Sequence, residues 1–158
     1  MSIEAHIEQH LGLSIINKQS VSTGLFSAYQ VTLSDGNTVF VKYQSNPNQQ
    51  LINEGRELAL LGKTIHTPAV LGSCKHCLIL EWIDITHNSN MQSKMGLALA
   101  ELHQNTSDYF GFGFDNKIGK TPQLNGVDQN IDNWAYFYWQ YRLLYQITLA
   151  YRNTLIGQ

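Results

Sequence analysis

Four groups of residues, met in this order along the chain, have types and spacing that could hold a nucleotide. Thr23-Gly24-Leu25-Phe26-Ser27 separates two strand-like runs. A glycine there lets the backbone come close to phosphate oxygens and turn N–H groups toward them. Lys42 closes the run Val39-Phe40-Val41-Lys42, where a cation could bind the α- and β-phosphates. Glu54 follows on a helical segment and could fix that lysine by a charge-assisted pair, keeping it cationic in a cleft. Leu80-Glu81-Trp82-Ile83 would be a hinge, its backbone reading the adenine edge while apolar side chains sandwich the ring.

The elements that must position these groups are legible as periodicities. Ile3, Ile7 and Leu11 recur at helical spacing and Gly12 stops them. Residues 15–21 are a β-branched run; Tyr29, Val31 and Leu33 alternate with polar or small neighbours; 34–37 supply turn chemistry; and 38–43 read as a third strand. After Asn46-Pro47-Asn48, the residues Leu51, Leu58, Leu61 and Ile65 mark an amphipathic helix that Thr67-Pro68 would end. Short strands follow at 69–71 and 77–83, then a polar link of His, Asn and Ser, then a one-sided helix carrying Met91, Met95, Ala98, Leu99 and Leu102. The glycine- and aromatic-rich stretch 108–126 has no sustained period and reads as an ordered irregular loop. Residues 131–155 read as one helix with apolar or aromatic residues on nearly every face, a helix that wants burial on all sides.

Each candidate has a plainer explanation when taken singly. Thr-Gly between strands is commonly a turn, a strand-ending lysine is commonly a solvated edge charge, and Glu54 beside Arg56 and Glu57 could be ordinary helix surface. The signal is the ordered set: glycine loop, lysine on the third strand, glutamate on the next helix, apolar hinge strand. That is the order of a kinase-type amino-terminal lobe. Cys74 and Cys77, the two cysteines, lie in Cys74-Lys75-His76-Cys77 with no second ligand pair for a structural zinc, so they read as ordinary thiols near a turn. A charged fraction of 14%, a net charge of −2 and the lack of any Lys/Arg cluster argue against a nucleic-acid partner. No apolar run reaches membrane-spanning length and the first residues lack a signal-peptide pattern, which together predict a cytoplasmic protein with no membrane partner.

Leu97-Ala98-Leu99-Ala100-Glu101-Leu102-His103, Phe110-Gly111-Phe112, Asn116-Lys117-Ile118-Gly119, Thr121-Pro122-Gln123-Leu124-Asn125 and the run from Trp134 through Phe137-Tyr138 to Gln140-Tyr141-Arg142-Leu143 resemble successive motifs of the fructosamine (ketosamine) kinase family. This family is related to the aminoglycoside and choline kinases. The resemblance covers nearly the whole chain. It implies an α+β, protein-kinase-like lobe with a five-stranded antiparallel sheet plus helix over residues 1–85, and the first helices of an incomplete carboxy-terminal lobe over 86–158. It implies ATP with Mg as cofactors, a ketosamine or other small hydroxyl compound as acceptor, and ATP-dependent phosphorylation of a sugar hydroxyl. ATP-binding positions would be Thr23, Gly24, Leu25, Phe26, Ser27, Lys42, Glu54, Glu81, Trp82 and Ile83. The alternatives are a non-catalytic nucleotide-binding or protein-interaction lobe, and a kinase-fold enzyme for an aminoglycoside or choline.

The sequence departs from that family in two places. Its catalytic loop, His-Gly-Asp-Leu-x-x-x-Asn, and its later metal-holding aspartate have no counterpart, since none of the six histidines opens a His-x-Asp. Asp128 and Asn133 have a similar spacing, but Asn125-Gly126-Val127 precedes them and the match is rejected. No catalytic residue and no metal ligand is therefore assigned, and the chain is expected to be catalytically incomplete by itself. The family's glycine loop also carries more small residues than this one, in which Leu25 and Phe26 are bulky. The aromatic helix 131–155 is expected to expose an apolar patch that could drive homodimer formation.

Overall fold

The computed structural model describes residues 2–85 and 90–156; the polar link read before Met91, residues 87–90, lies outside the described residues except for Asn90. In chain order the elements are α1 (Ile3–Leu11), β1 (Ile15–Thr23), β2 (Ser27–Leu33), β3 (Thr38–Tyr43), α2 (Gln50–Leu61), β4 (Val70–Ser73), β5 (Cys77–Glu81), α3 (Met91–Leu102), β6 (Asn116–Ile118), β7 (Thr121–Gln123), α4 (Trp134–Tyr138), a π-helical turn (Trp139–Leu143) and α5 (Leu144–Arg152). They divide into two compact units, Met1–Asn105 and Thr106–Gln158, so α3 belongs with the first unit although the sequence reading set a boundary at 85/86.

In the first unit β1 to β5 form one antiparallel sheet in the order β1-β2-β3-β5-β4. Period two sends Val39 and Val41 of β3, with Cys77 and Ile79 of β5, to one face, where Ile3 and Ile7 of α1 bury them. Leu78 and Leu80 go to the other face, against Leu51 of α2, with Phe40, Leu58, Val70 and Phe26 around them. Helices thus cover both faces, which is why residues 77–80 read as an unbroken apolar run and are all buried. Gly55 brings α2 close to the sheet, since a Cβ there would stand 3.2 Å from Leu78 Cδ1. Gly12 ends α1 in the left-handed conformation, φ +67°, as its position after the last periodic residue suggests.

Several boundaries moved. Helix α2 stops at Leu61 and Ile65 lies beyond it, in a turn whose N–H reaches back to Leu61 O at 2.9 Å. Strand β5 leaves the ladder after Glu81, not after Ile83, because its last partner on β3 is Val39. In the second unit the stretch read as irregular contains a hairpin, β6 paired with β7 around Gly119 at φ +61°, a strand pair too short to show a period. The terminal helix starts at Trp134 rather than 131 and is broken by the π-helical turn.

That turn places Arg142 in the polar centre of the second unit. Asn125 is buried there: its N–H donates to Asp115 Oδ1 at 2.7 Å and its side-chain amide donates to Phe114 O at 2.8 Å. Arg142 Nη2 donates to Asn125 Oδ1 at 2.8 Å, its Nη1 donates to Leu124 O, and the guanidinium lies 4.7 Å from the Phe137 ring centroid. Burial lowers the Arg142 pKa from its ordinary value while Asp115 opposes the shift. The hairpin and the helix are therefore joined through one asparagine. Gly111 packs under it at φ +95°, where a Cβ would stand 2.5 Å from Asn125 O. Asn125→Ala strips partners from buried donors and acceptors and should cost about 2–4 kcal/mol in urea unfolding, with Gly111→Ala also destabilising.

The first unit holds a second polar cluster. His6 is 3% exposed, its Nδ1 lies 3.6 Å from Cys74 Sγ, and its ring stacks with His76 at 5.6 Å and faces Tyr43 at 6.4 Å. Nε2 of His6 is buried without a hydrogen-bond partner. Burial foremost, then the neighbouring charges of His76, the chain amino group and His10, lower the His6 pKa. Cys77 is buried at the start of β5 and its thiol is pushed up to about 12, chiefly by burial, which makes it a core group rather than a nucleophile. A histidine with a depressed folded-state pKa leaves full stability in place above its unfolded value near 6.5, and stability is lost as pH falls through the folded value. Glu4, held at about 2 chiefly by Lys18, does not titrate between pH 7 and 5. The thermal midpoint should fall on going from pH 7.5 to 5.5, and His6→Leu should reduce that fall; an equal fall in both proteins would contradict the assignment.

Candidate functional site

Lys42 emerges on the same face of β3 as Phe40, because residues two apart share a side, and that is the face packed by α2. On α2, Glu54 lies three residues after Leu51 and four before Leu58, within the stripe that meets the sheet. It is thus an inward-facing carboxylate rather than ordinary helix surface. Lys42 Nζ donates to Glu54 Oε1, and the two side chains are 27% and 26% exposed. A charge pair so shielded is held more firmly than one on open surface, and either partner left alone would be costly.

The pair borders a cleft of about 580 Å³ with mostly apolar walls: Val21, Phe40, Leu58, Pro68, Leu80, Trp82, Ile83 and Ile85, with Glu54, Lys42 and Glu81 as its charged groups. One edge is the segment after β5. Trp82 and Ile83, which follow the last residue of β5, line the cleft. Trp82 is set by its indole N–H, which donates to Asp84 Oδ1 at 2.9 Å, and by its ring lying 6.4 Å from that of Phe40. Glu81 is tied to the start of β4: its N–H donates to Ala69 O at 2.9 Å and its Oε2 accepts from Ala69 N at 3.1 Å. Such a volume, apolar with one fixed cation at its end, suits a flat aromatic ring joined to an anionic tail.

Five of the ten positions named from the sequence, Lys42, Glu54, Glu81, Trp82 and Ile83, line this cleft together. The glycine-loop residues do not. Thr23 pairs with Ser27 to close the β1–β2 hairpin, Gly24 N donates to Phe26 O at 3.2 Å, and Leu25 is exposed. Gly24 has an ordinary φ, and a Cβ on it would meet nothing within 4 Å, so the fold does not require glycine at this position. Phe26 turns inward, packing against the cluster of Leu51, Leu78 and Leu80, with Lys42 Nζ 6.0 Å from its ring centroid. The sequence reading missed Val21, Phe40, Leu58, Pro68 and Ile85. Alternation gave the signal for Phe40, since it shares a face with Lys42. Asp128 and Asn133 serve local structure: Asp128 takes a left-handed turn conformation, φ +64°, and Asn133 caps α4 by accepting from Tyr136 N at 2.9 Å.

The five-stranded antiparallel sheet, with the lysine of its third strand paired to the following helix, is a kinase-like fold. A solved structure from Thermobifida fusca, provisionally named a fructosamine-3-kinase, superposes with a TM-score of 0.84 over 99% of this chain and 56% of its own, at 24% identity. The family model for fructosamine kinase matches residues 1–158, and the chain belongs to that family. A Synechocystis protein named a probable ketoamine kinase is 33% identical over 96% of this chain and 54% of its own length. The chloroplastic protein-ribulosamine 3-kinase of Arabidopsis thaliana is 35% identical over 80% of this chain and 40% of its own. The chain spans about half the length of the curated relatives it matches. Among the described residues no helix is long and apolar enough to cross a membrane.

If Glu54 is what balances Lys42, Glu54→Ala should cost about 1–2 kcal/mol of unfolding free energy, and adding Lys42→Met should recover a large part of it. A double variant as unstable as the sum of the two single variants would show that the pair is incidental.

Proposed function

We propose that the cleft is an ATP site and that the protein serves as the nucleotide-holding part of a kinase acting on a sugar hydroxyl of ketosamine adducts. The observation that carries this reading is the Lys42–Glu54 pair in an apolar cleft that is also lined by Trp82 and Ile83, the residues following β5. In this reading Trp82 and Ile83 hold the adenine, Val21, Phe40 and Leu80 pack on its faces, and Lys42 draws the α- and β-phosphates into place while Glu54 keeps its ammonium aimed. Mg²⁺ enters with the nucleotide, as Mg-ATP. Among the described residues there is no group of three or more His, Cys, Asp or Glu side chains that could hold a metal ion. The names of the relatives, ketoamine kinase and ribulosamine 3-kinase, supply the acceptor class.

Phosphoryl transfer also needs a base positioned against the acceptor hydroxyl. The 158-residue polypeptide has no His-x-Asp sequence to supply one. It should therefore bind Mg-ATP while releasing negligible ADP in the presence of ketosamine substrates. A thermal-shift titration should raise the melting temperature of the wild-type chain with Mg-ATP and leave Lys42→Ala nearly unmoved. No shift in the wild-type chain would refute the nucleotide reading, and sustained ADP release would refute catalytic incompleteness.

Self-association belongs to the same proposal. Trp134, Tyr136, Tyr138 and Trp139 are all 43% exposed or more, which leaves aromatic surface on the second unit that water covers poorly. Light scattering of the 158-residue chain should show mass growing with concentration through dimer; a monodisperse monomer at high concentration would exclude it.

A further inference from the structure

The contact between Phe26 and Lys42 bears on how a nucleotide could enter, and this inference rests on the ATP-site reading above. Three observations converge on it. Phe26 is the last residue of the three-residue turn joining β1 to β2, so its position follows that turn. Its side chain is half-buried against Leu51, Leu78 and Leu80. Its ring lies 6.0 Å from Lys42 Nζ, the cation that would receive the phosphates. Leu25 beside it is exposed and a Cβ on Gly24 would meet nothing within 4 Å, so of the three turn residues it is Phe26 whose packing against the core must give for the ring to move.

From these we infer that Phe26 is a gate over Lys42: its ring shields the ammonium, and a polyphosphate must displace the ring to reach it. The shielding is weak and reversible. An ammonium at the face of a phenyl ring gains a modest cation–π attraction, whereas a phosphate group gains a full charge–charge contact. Displacement therefore favours ligands in proportion to the negative charge they bring to Lys42. A nucleoside without phosphates has no reason to move the ring and occupies only the apolar part of the cleft. The gate thus makes Phe26 a residue that selects for the phosphate tail and is silent toward the base. Because opening precedes contact, the closed population lowers the apparent affinity for ATP by the fraction of molecules that are closed.

The test is isothermal titration of the 158-residue chain with Mg-ATP, Mg-ADP and adenosine, comparing wild type, Phe26→Leu and Phe26→Ser. Phe26→Leu keeps apolar packing against Leu51, Leu78 and Leu80 but removes the aromatic face; circular dichroism confirms that each variant is folded. Both variants should bind Mg-ATP and Mg-ADP roughly three- to tenfold more tightly than wild type, with adenosine affinity unchanged. Equal ATP affinity in all three proteins, or weaker ATP binding in Phe26→Leu, would overturn the gate while leaving the nucleotide site standing. Failure of every protein to bind either ATP or adenosine would overturn both.

Discussion

A lysine ammonium cannot be set among apolar side chains without a counter-charge, because desolvation would neutralise it or unfold its surroundings. Lys42 is in that position: its strand neighbours Val39 and Val41 are buried on the opposite face, and Phe40, Leu78 and Leu80 lie on its own. Glu54 supplies the counter-charge, which obliges α2 to lie across β3 and β5 with the stripe Leu51, Glu54, Leu58 turned inward. Gly55 permits that approach, and the approach in turn covers the face of β5 that carries Leu78 and Leu80. The cleft is what remains between this helix, the sheet and the strand end that leaves the ladder at Glu81.

The same logic explains what could be seen in the sequence. Strand β3 was legible to the residue because a run of β-branched and aromatic residues, a turn before it and a proline break after it all agree. The continuous run at 77–80 signalled a strand covered on both faces, and α1 and α2 are the covers. The pairing of Lys42 with Glu54 was readable only as order along the chain, since nothing local says which face of a helix meets which strand. Phe26 was read as a loop residue near phosphate; that its ring would turn back onto the core depends on a tertiary contact that spacing cannot reveal. Likewise the β6–β7 hairpin, three residues to a strand, is too short for period two to emerge, and the π-helical turn at 139–143 leaves the apolar pattern of the helix nearly unchanged.

In the second unit the motif Thr121-Pro122-Gln123-Leu124-Asn125 has a structural use. Asn125 holds the hairpin, the loop carrying Phe114 and Asp115, and the guanidinium of Arg142 with one side chain and one backbone N–H. A residue so connected resists substitution for reasons of packing and hydrogen bonding alone, whatever reaction the full family carries out. Sequence likeness at such a position therefore reports the fold, while the proposed nucleotide site lies in the first unit's cleft.

We propose that Lys42 and Glu54 act as one device for holding a polyphosphate. A double-mutant cycle of Lys42→Met and Glu54→Gln on Mg-ADP affinity, measured by isothermal titration, tests it most directly. Each single substitution should weaken binding about tenfold or more, and the double should be scarcely worse than Lys42→Met alone, since Glu54 acts only through the lysine. Strictly additive losses, or full affinity in Lys42→Met, would contradict it.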